Sequence, residues 1–246
     1  MKLEICLDNY ESLLTAVKNG ADRIELCASL IEGGLTPPLS FIEQALQVGI
    51  PVFIMIRPRS CDFLYTSAEL EMMHRDIHTA KKLGAPGVVF GVLTEAGEID
   101  TAAMKSLMKV AKGLDVTCHR AVDQVKDIYK TIDILAELGV KRILSSGQEK
   151  NAYSGIDTLA KMVQYAKDRI MIMAGSGVIP ANVREIIEKT HVHEVHASAS
   201  TFRKSHMKYI KAGAEMGNTE DFSLKVTDGE TIRQLKDNLR KSVSEK

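Results

Sequence analysis

The chain has 246 residues, of which 45% are hydrophobic and 26% charged, and its 32 basic and 32 acidic side chains give a formal net charge of zero. That is the balance of an ordinary globular protein, at a length that suits one α/β barrel of about 250 residues. The absence of a basic excess argues against a nucleic-acid partner or an anionic membrane surface, and no run of about 18 apolar residues offers a membrane span.

The chain opens on MKLEICLDNYE, with acids inside an immediate strand pattern. A signal peptide would start with basic residues and an apolar stretch, so the expected location is the cytoplasm. The four cysteines, Cys6, Cys27, Cys61 and Cys118, are then expected as reduced thiols. None forms a CxxC pair.

Strand and helix patterns then alternate along the chain. A strand over Leu3–Leu7 precedes a helix over Glu11–Asn19, and a strand over Arg23–Cys27 precedes a helix over Leu39–Val48. Val52–Ile56 leads to Ala68–Leu83, Gly87–Gly91 to Thr101–Lys112, and Asp115–His119 to Val125–Leu138. Arg142–Ser146 is followed by Ile156–Lys167, and Ile170–Ala174 by Ala181–Lys189. The eighth strand, Glu194–Ala197, leads into a long polar connection, 198–228. This connection is expected as a lid, an oligomer arm or a mobile loop. A last helix spans about Glu230–Ser242.

Eight apolar strands in strict alternation with helices imply a parallel sheet. In this length they favour closure into a single (β/α)₈ TIM-like barrel, residues 1–246, over an open doubly wound sheet. No GxGxxG follows the first strand, which weakens a dinucleotide-binding reading. Chemistry is then expected on the loops that follow the strands.

Side chains alternate along a strand. Leu3, Ile5 and Leu7 oppose Glu4 and Cys6; Ile24 and Leu26 oppose Arg23, Glu25 and Cys27; Val195 opposes Glu194 and His196. The apolar faces should meet the helices, leaving the polar faces to fill the barrel. Glu4 and Glu194 then have two readings: an ion-pair layer with Arg23 and Arg142, or part of a site. Higher in the barrel, Glu25 and His119 are expected in a functional site as a general acid/base pair, the carboxylate raising the imidazole pKa towards neutral.

Cys6 and Cys27 end neighbouring strands about 4.8 Å apart. Both lie on the polar face, where two thiolates suit the soft ion Cu(I). The alternative is a pair of small buried apolar side chains. Met55 is a thioether candidate. The run His191, His193 and His196 and the helical pair His74 and His78 are expected as surface or helix-end histidines, since neither has a placed third ligand. Arg57, Arg59 and Arg120 are candidates to clamp an anion. The small loops Ser146-Gly147 and Gly175-Ser176-Gly177 could offer backbone N–H groups to the same anion.

Segments along most of the chain resemble the CutC family: ADRIELCASLIEGGLTP (21–37), VFIMIRPRSCDFLYT (52–66), GVVFGVLTEAGEID (87–100), TCHRAVD (117–123), ILSSG (143–147), IMAGSGV (172–178) and HAS (196–198). The resemblance implies a TIM-barrel-like fold, a cytoplasmic location, homo-oligomers and a role in copper tolerance. The expected function is therefore copper homeostasis through Cu(I) on Cys6 and Cys27. The alternative is a barrel enzyme acting on a small anionic or phosphorylated metabolite through Glu25, His119 and Arg57. The apolar residues of the loops IEGGLTPPL and CDFLY point to a homodimer or higher homo-oligomer.

Overall fold

The computed structural model describes residues 1–211, 213–214 and 222–244. Eight strands carry the fold: β1 (Lys2–Leu7), β2 (Arg23–Leu26), β3 (Val52–Met55), β4 (Gly87–Val89), β5 (Asp115–Cys118), β6 (Arg142–Ser145), β7 (Met171–Ala174) and β8 (Glu194–Ala197). They close in chain order, each parallel to its neighbours, with β1 pairing β8. This is the single (β/α)₈ barrel. Its helices are α1 (Tyr10–Lys18), α2 (Leu39–Ala45), α3 (Ser67–Lys82), α4 (Thr101–Val110), α5 (Ile128–Glu137), α6 (Ile156–Ala166), α7 (Val183–Thr190) and α8 (Gly229–Ser244). Among the described residues no helix is long and apolar enough to cross a membrane.

Local chemistry sets the helix starts. Asn9 accepts from Ser12 N–H, Asp100 from Ala103 N–H, and Thr66 forms a reciprocal capping box with Glu69. Two helices are shorter than their apolar period suggests. α2 ends at Ala45. α5 begins only at Ile128, because Arg120–Gln124 forms a 3₁₀ turn and Val125 is extended.

The connection 198–228 is not a bare loop. It holds β9 (Ser200–Lys204) and β10 (Ser223–Thr227), paired antiparallel. This ribbon is stitched to the first helix: Asn9 donates to the Lys225 carbonyl, and Thr227 N–H donates to Ser12 Oγ at 2.8 Å.

The strands divide as alternation dictates. Leu3, Ile5, Ile24, Leu26, Ile54, Val88, Val116, Cys118, Ile143, Ile172 and Val195 are buried in the main apolar core that includes the helix faces. Inside the barrel stands a layer of charge. Arg23 bonds Glu4 and Glu194, and Arg142 reaches Glu194 at 3.1 Å, Asp115 at 3.2 Å and Thr117 Oγ1 at 3.2 Å. The Phe53 ring packs against both guanidinium groups, at 4.9 Å from Arg23 and 5.0 Å from Arg142. So Glu4 and Glu194 do form the ion-pair layer with Arg23 and Arg142, joined by Asp115 at its edge. Gly87 is fixed by the same packing, since a Cβ there would sit 2.6 Å from the Phe53 ring.

Candidate functional site at the barrel mouth

Above this charged layer the barrel opens into a cavity of about 730 Å³ at the C-terminal ends of the strands. Its floor is made by inward residues of three neighbouring strands: Cys6 and Glu25 are register partners, and His196 pairs with Glu4, two residues before Cys6. Cys6 from β1, Glu25 from β2 and His196 from β8 place a sulfur, a carboxylate oxygen and a ring nitrogen within 4.8 Å of one another. Glu25 and His196 are buried, and Cys6 is 9% exposed, at the surface of the cavity.

Each of these groups is held from below or beside. Glu4 Oε1 lies 2.8 Å from His196 Nδ1, so the imidazole turns Nε2 towards Glu25 Oε2 at 3.7 Å and towards the Cys6 thiol. Glu4 also binds Arg23. Burial alone would raise its pKa, but the Arg23 charge and His196 outweigh burial and hold it down at about 2. Burial pushes Glu25 up to about 7, with the Glu4 charge adding to the rise and His196 opposing it. Burial works against the charged form of His196, yet Cys6 and Glu25 drive its pKa well above the ordinary value. Glu25 Oε1 is buried with no hydrogen-bond partner.

Cys27 lies two residues beyond Glu25, just past the end of β2. It is fully buried with Phe53, Met55 and Val89, and its thiol donates to Glu25 Oε2 at 3.7 Å. Burial, then the Glu25 charge, pushes the thiol pKa well up. Cys27 does not line the cavity, whereas Met55 does. Cys118 faces the helices, where burial pushes it up to about 12.

The expected acid/base pair is corrected by the geometry. Glu25 and His119 both line the cavity, but the imidazole beside Glu25 is His196. His119 packs on Phe63, with ring centroids 4.8 Å apart, and its Nδ1 accepts from Ala121 N–H. Burial and then the Arg57 charge bring its pKa down to about 3, the opposite of the expected rise, so the ring is neutral. His196 was misread as a surface histidine because it follows His191 and His193 closely. Strand alternation, which puts it inward beside Glu194, was the signal that mattered. His191 is exposed at the end of α7, and His193 contacts the Ile172 backbone. On α3, His74 meets Ser106 Oγ at 3.1 Å and His78 is exposed.

The expected anion-binding groups separate. Arg57 lines the cavity, but its terminal nitrogens donate to the carbonyls of Glu32, Gly34 and Cys61. Gly33 and Gly34, both at positive φ, let the loop wrap it, since a Cβ on Gly33 would sit 3.2 Å from Arg57 Nη1. Arg59 does not line the cavity; it is engaged by Glu69, Asp62 and the Ser60 and Leu64 carbonyls. Arg120 stands at the rim, paired with Asp123 at 2.8 Å and bonded to Ser146 Oγ. Ser176 and Gly177 also form rim, while Ser146, Gly147 and Gly175 do not. Ser146 is bound by Asp123, Gly147 packs on the Gly155 backbone, and Gly175 lets the end of β7 lie against His196 and Leu144. Those small residues serve close packing.

A family model, described as the CutC family, matches residues 1–201. A CutC family protein of Histophilus somni is 49% identical over 239 residues, covering 96% of this chain and 98% of its own. The human copper homeostasis protein cutC homolog is 44% identical over 237 residues, covering 95% and 87%. The crystal structure of the Streptococcus agalactiae CutC, described as a copper homeostasis protein, superposes with a TM-score of 0.77. It is 36% identical and covers 80% of this chain and 98% of its own. The thiamine phosphate pyrophosphorylase of Pyrococcus furiosus, at 16% identity and a TM-score of 0.61, shares the fold alone.

Proposed function

The chain belongs to the CutC family, and we propose that it acts in copper homeostasis by carrying one Cu(I) at the mouth of its barrel, on Cys6 Sγ and His196 Nε2. The observation that carries this reading is the three-donor cluster on the cavity floor. A thiolate is the soft ligand that Cu(I) prefers, and imidazole also suits copper. His196 has the carboxylate partner that metal-bound histidines usually have: Glu4 holds Nδ1 and leaves Nε2 free to face Cys6 and Glu25. Glu25, a hard oxygen donor, is the weaker third ligand.

The chemistry of loading follows from the charges. The donor atoms of Cys6 and His196 lie within 4.8 Å of one another, and the ion would take the place of the protons these donors carry. Loading therefore releases protons from the floor, and binding strengthens as pH rises. The sequence reading paired Cys6 with Cys27. The proposal keeps Cys6 and replaces Cys27 with His196, because the Cys27 thiol is fully buried outside the cavity lining and burial opposes its ionisation. A cytoplasmic location, with reduced thiols and available Cu(I), suits this role.

The test is competitive Cu(I) titration of the anaerobic protein against a chromophoric chelator. One ion per chain is expected, with strong loss in Cys6→Ser and His196→Gln and near-normal binding in Cys27→Ser. Loss of binding in Cys27→Ser with full retention in His196→Gln would overturn the assignment.

A further inference from the structure

The opposite wall of the cavity poses a separate question, because Arg57 is a buried cation without a counter-ion. Its side chain is only 5% exposed. Its terminal nitrogens meet three neutral carbonyls, and among the described residues no carboxylate forms an ion pair with it. A buried charge satisfied only by neutral dipoles is costly. Arg57 Nε is, moreover, buried with no hydrogen-bond partner.

His119 stands beside it with the same deficiency. Its Nδ1 accepts the Ala121 N–H, so the ring proton sits on Nε2. That Nε2–H is also buried and unpartnered. Both side chains line the cavity, and both lie against the Phe63 ring, Arg57 at 5.0 Å and His119 at 4.8 Å between centroids. Two N–H donors, one cationic and one neutral, thus flank the Phe63 ring at the cavity wall, and neither Arg57 Nε nor His119 Nε2 has a hydrogen-bond partner among the described residues.

We propose that the cavity binds a small organic monocarboxylate, its two oxygens accepting from Arg57 Nε–H and His119 Nε2–H once the Phe63 ring turns aside. A planar two-oxygen head matches two N–H donors and supplies the missing negative charge. A dianion such as phosphate fits less well, because Glu32, Asp123 and Glu149 also line the cavity. The volume of about 730 Å³ is far more than a metal ion needs and lies in the range of small-molecule sites. This site does not depend on the copper reading: its donors come from β3, β5 and the loops after them, and the metal ligands from β1 and β8.

The test uses the copper-free full chain, titrated calorimetrically with acetate, glycolate, gluconate and inorganic phosphate at constant ionic strength. At least one carboxylate should bind saturably at one per chain. His119→Asn is the cleaner variant, because asparagine keeps an acceptor for Ala121 N–H and is too short to place its own amide N–H at the Nε2 position. It should weaken carboxylate binding about tenfold, the worth of one hydrogen bond to a charged group. Arg57→Gln should abolish binding. The proposal is overturned if none of the three carboxylates binds saturably, if phosphate alone binds, or if His119→Asn leaves carboxylate affinity unchanged.

Discussion

Glu4→Gln removes one charge from the deepest point of the site and leaves the side-chain shape intact. Glu4 is completely buried, bonded through Oε2 to Arg23 and through Oε1 to His196 Nδ1 at 2.8 Å. Two independent routes give its magnitude. Breaking one partner of a buried ion pair costs about 3–5 kcal/mol. Arg23 keeps Glu194, which points to the lower end of that range. By linkage, a carboxyl whose pKa falls from 4.5 to about 2 on folding contributes on the order of 3 kcal/mol, since each tenfold change in proton affinity is worth about 1.4 kcal/mol. The folded pKa lies below the unfolded one. The contribution is therefore complete above the unfolded pKa and is lost as pH falls from 4.5 through 2. The assay is chemical denaturation of wild type and Glu4→Gln at a series of pH values. The stability difference should be about 3 kcal/mol at pH 7 and shrink towards zero near pH 2. Equal stability at pH 7, or a difference that does not change with pH, would refute the reasoning. The same variant should weaken copper binding by about 10–100-fold, the usual effect of losing the partner that orients a metal-bound imidazole.

Glu25→Gln should behave in the opposite sense: the folded pKa is raised from 4.5 to about 7, so ionisation costs stability as pH rises from 4.5 to 7. The variant should be the more stable by on the order of 3 kcal/mol at pH 8 and near neutral at pH 4, and denaturation at the two values checks it. Gly87→Ala places a Cβ 2.6 Å from the Phe53 ring, which two guanidinium groups hold in place; a loss of about 1–3 kcal/mol is expected, with partial recovery in Gly87→Ala combined with Phe53→Leu. Ile31 is 74% exposed and Leu64 46% exposed on adjoining loops, which predicts a homo-oligomer by light scattering at micromolar concentration, against which a mass of 27.1 kDa would count.

The barrel was legible because each strand carries its own signal. Short apolar runs such as Ile143-Leu144 of β6 and Val52–Met55 of β3 are bounded by helix periods, and eight such units in one chain leave little alternative to closure. The inward face was equally legible, since alternation alone separates Glu4, Arg23, Glu25 and Glu194 from the apolar core. The ribbon of β9 and β10 escaped notice because Ser200–Lys204 is mostly exposed on both faces and has no hydrophobic period to read. The three-donor cluster of Cys6, Glu25 and His196 was half legible. Cys6 follows from strand order, but His196 was masked by its neighbours in sequence, His191 and His193, which lie outside the strand. The state of His119 and the carbonyl cage around Arg57 were beyond reach. Both depend on burial and on a loop some 23 residues away, contacts that only the closed barrel creates.

The central claim is that copper is held at the barrel mouth by one thiolate and one imidazole. X-ray absorption at the copper K edge, measured on the anaerobic Cu(I)-loaded protein, tests it most directly. The account predicts a low-coordinate Cu(I) with one sulfur and one imidazole nitrogen, the sulfur signal lost in Cys6→Ser and the nitrogen signal lost in His196→Gln. Two sulfurs and no imidazole scattering would contradict it, and would return the site to the pair Cys6 and Cys27.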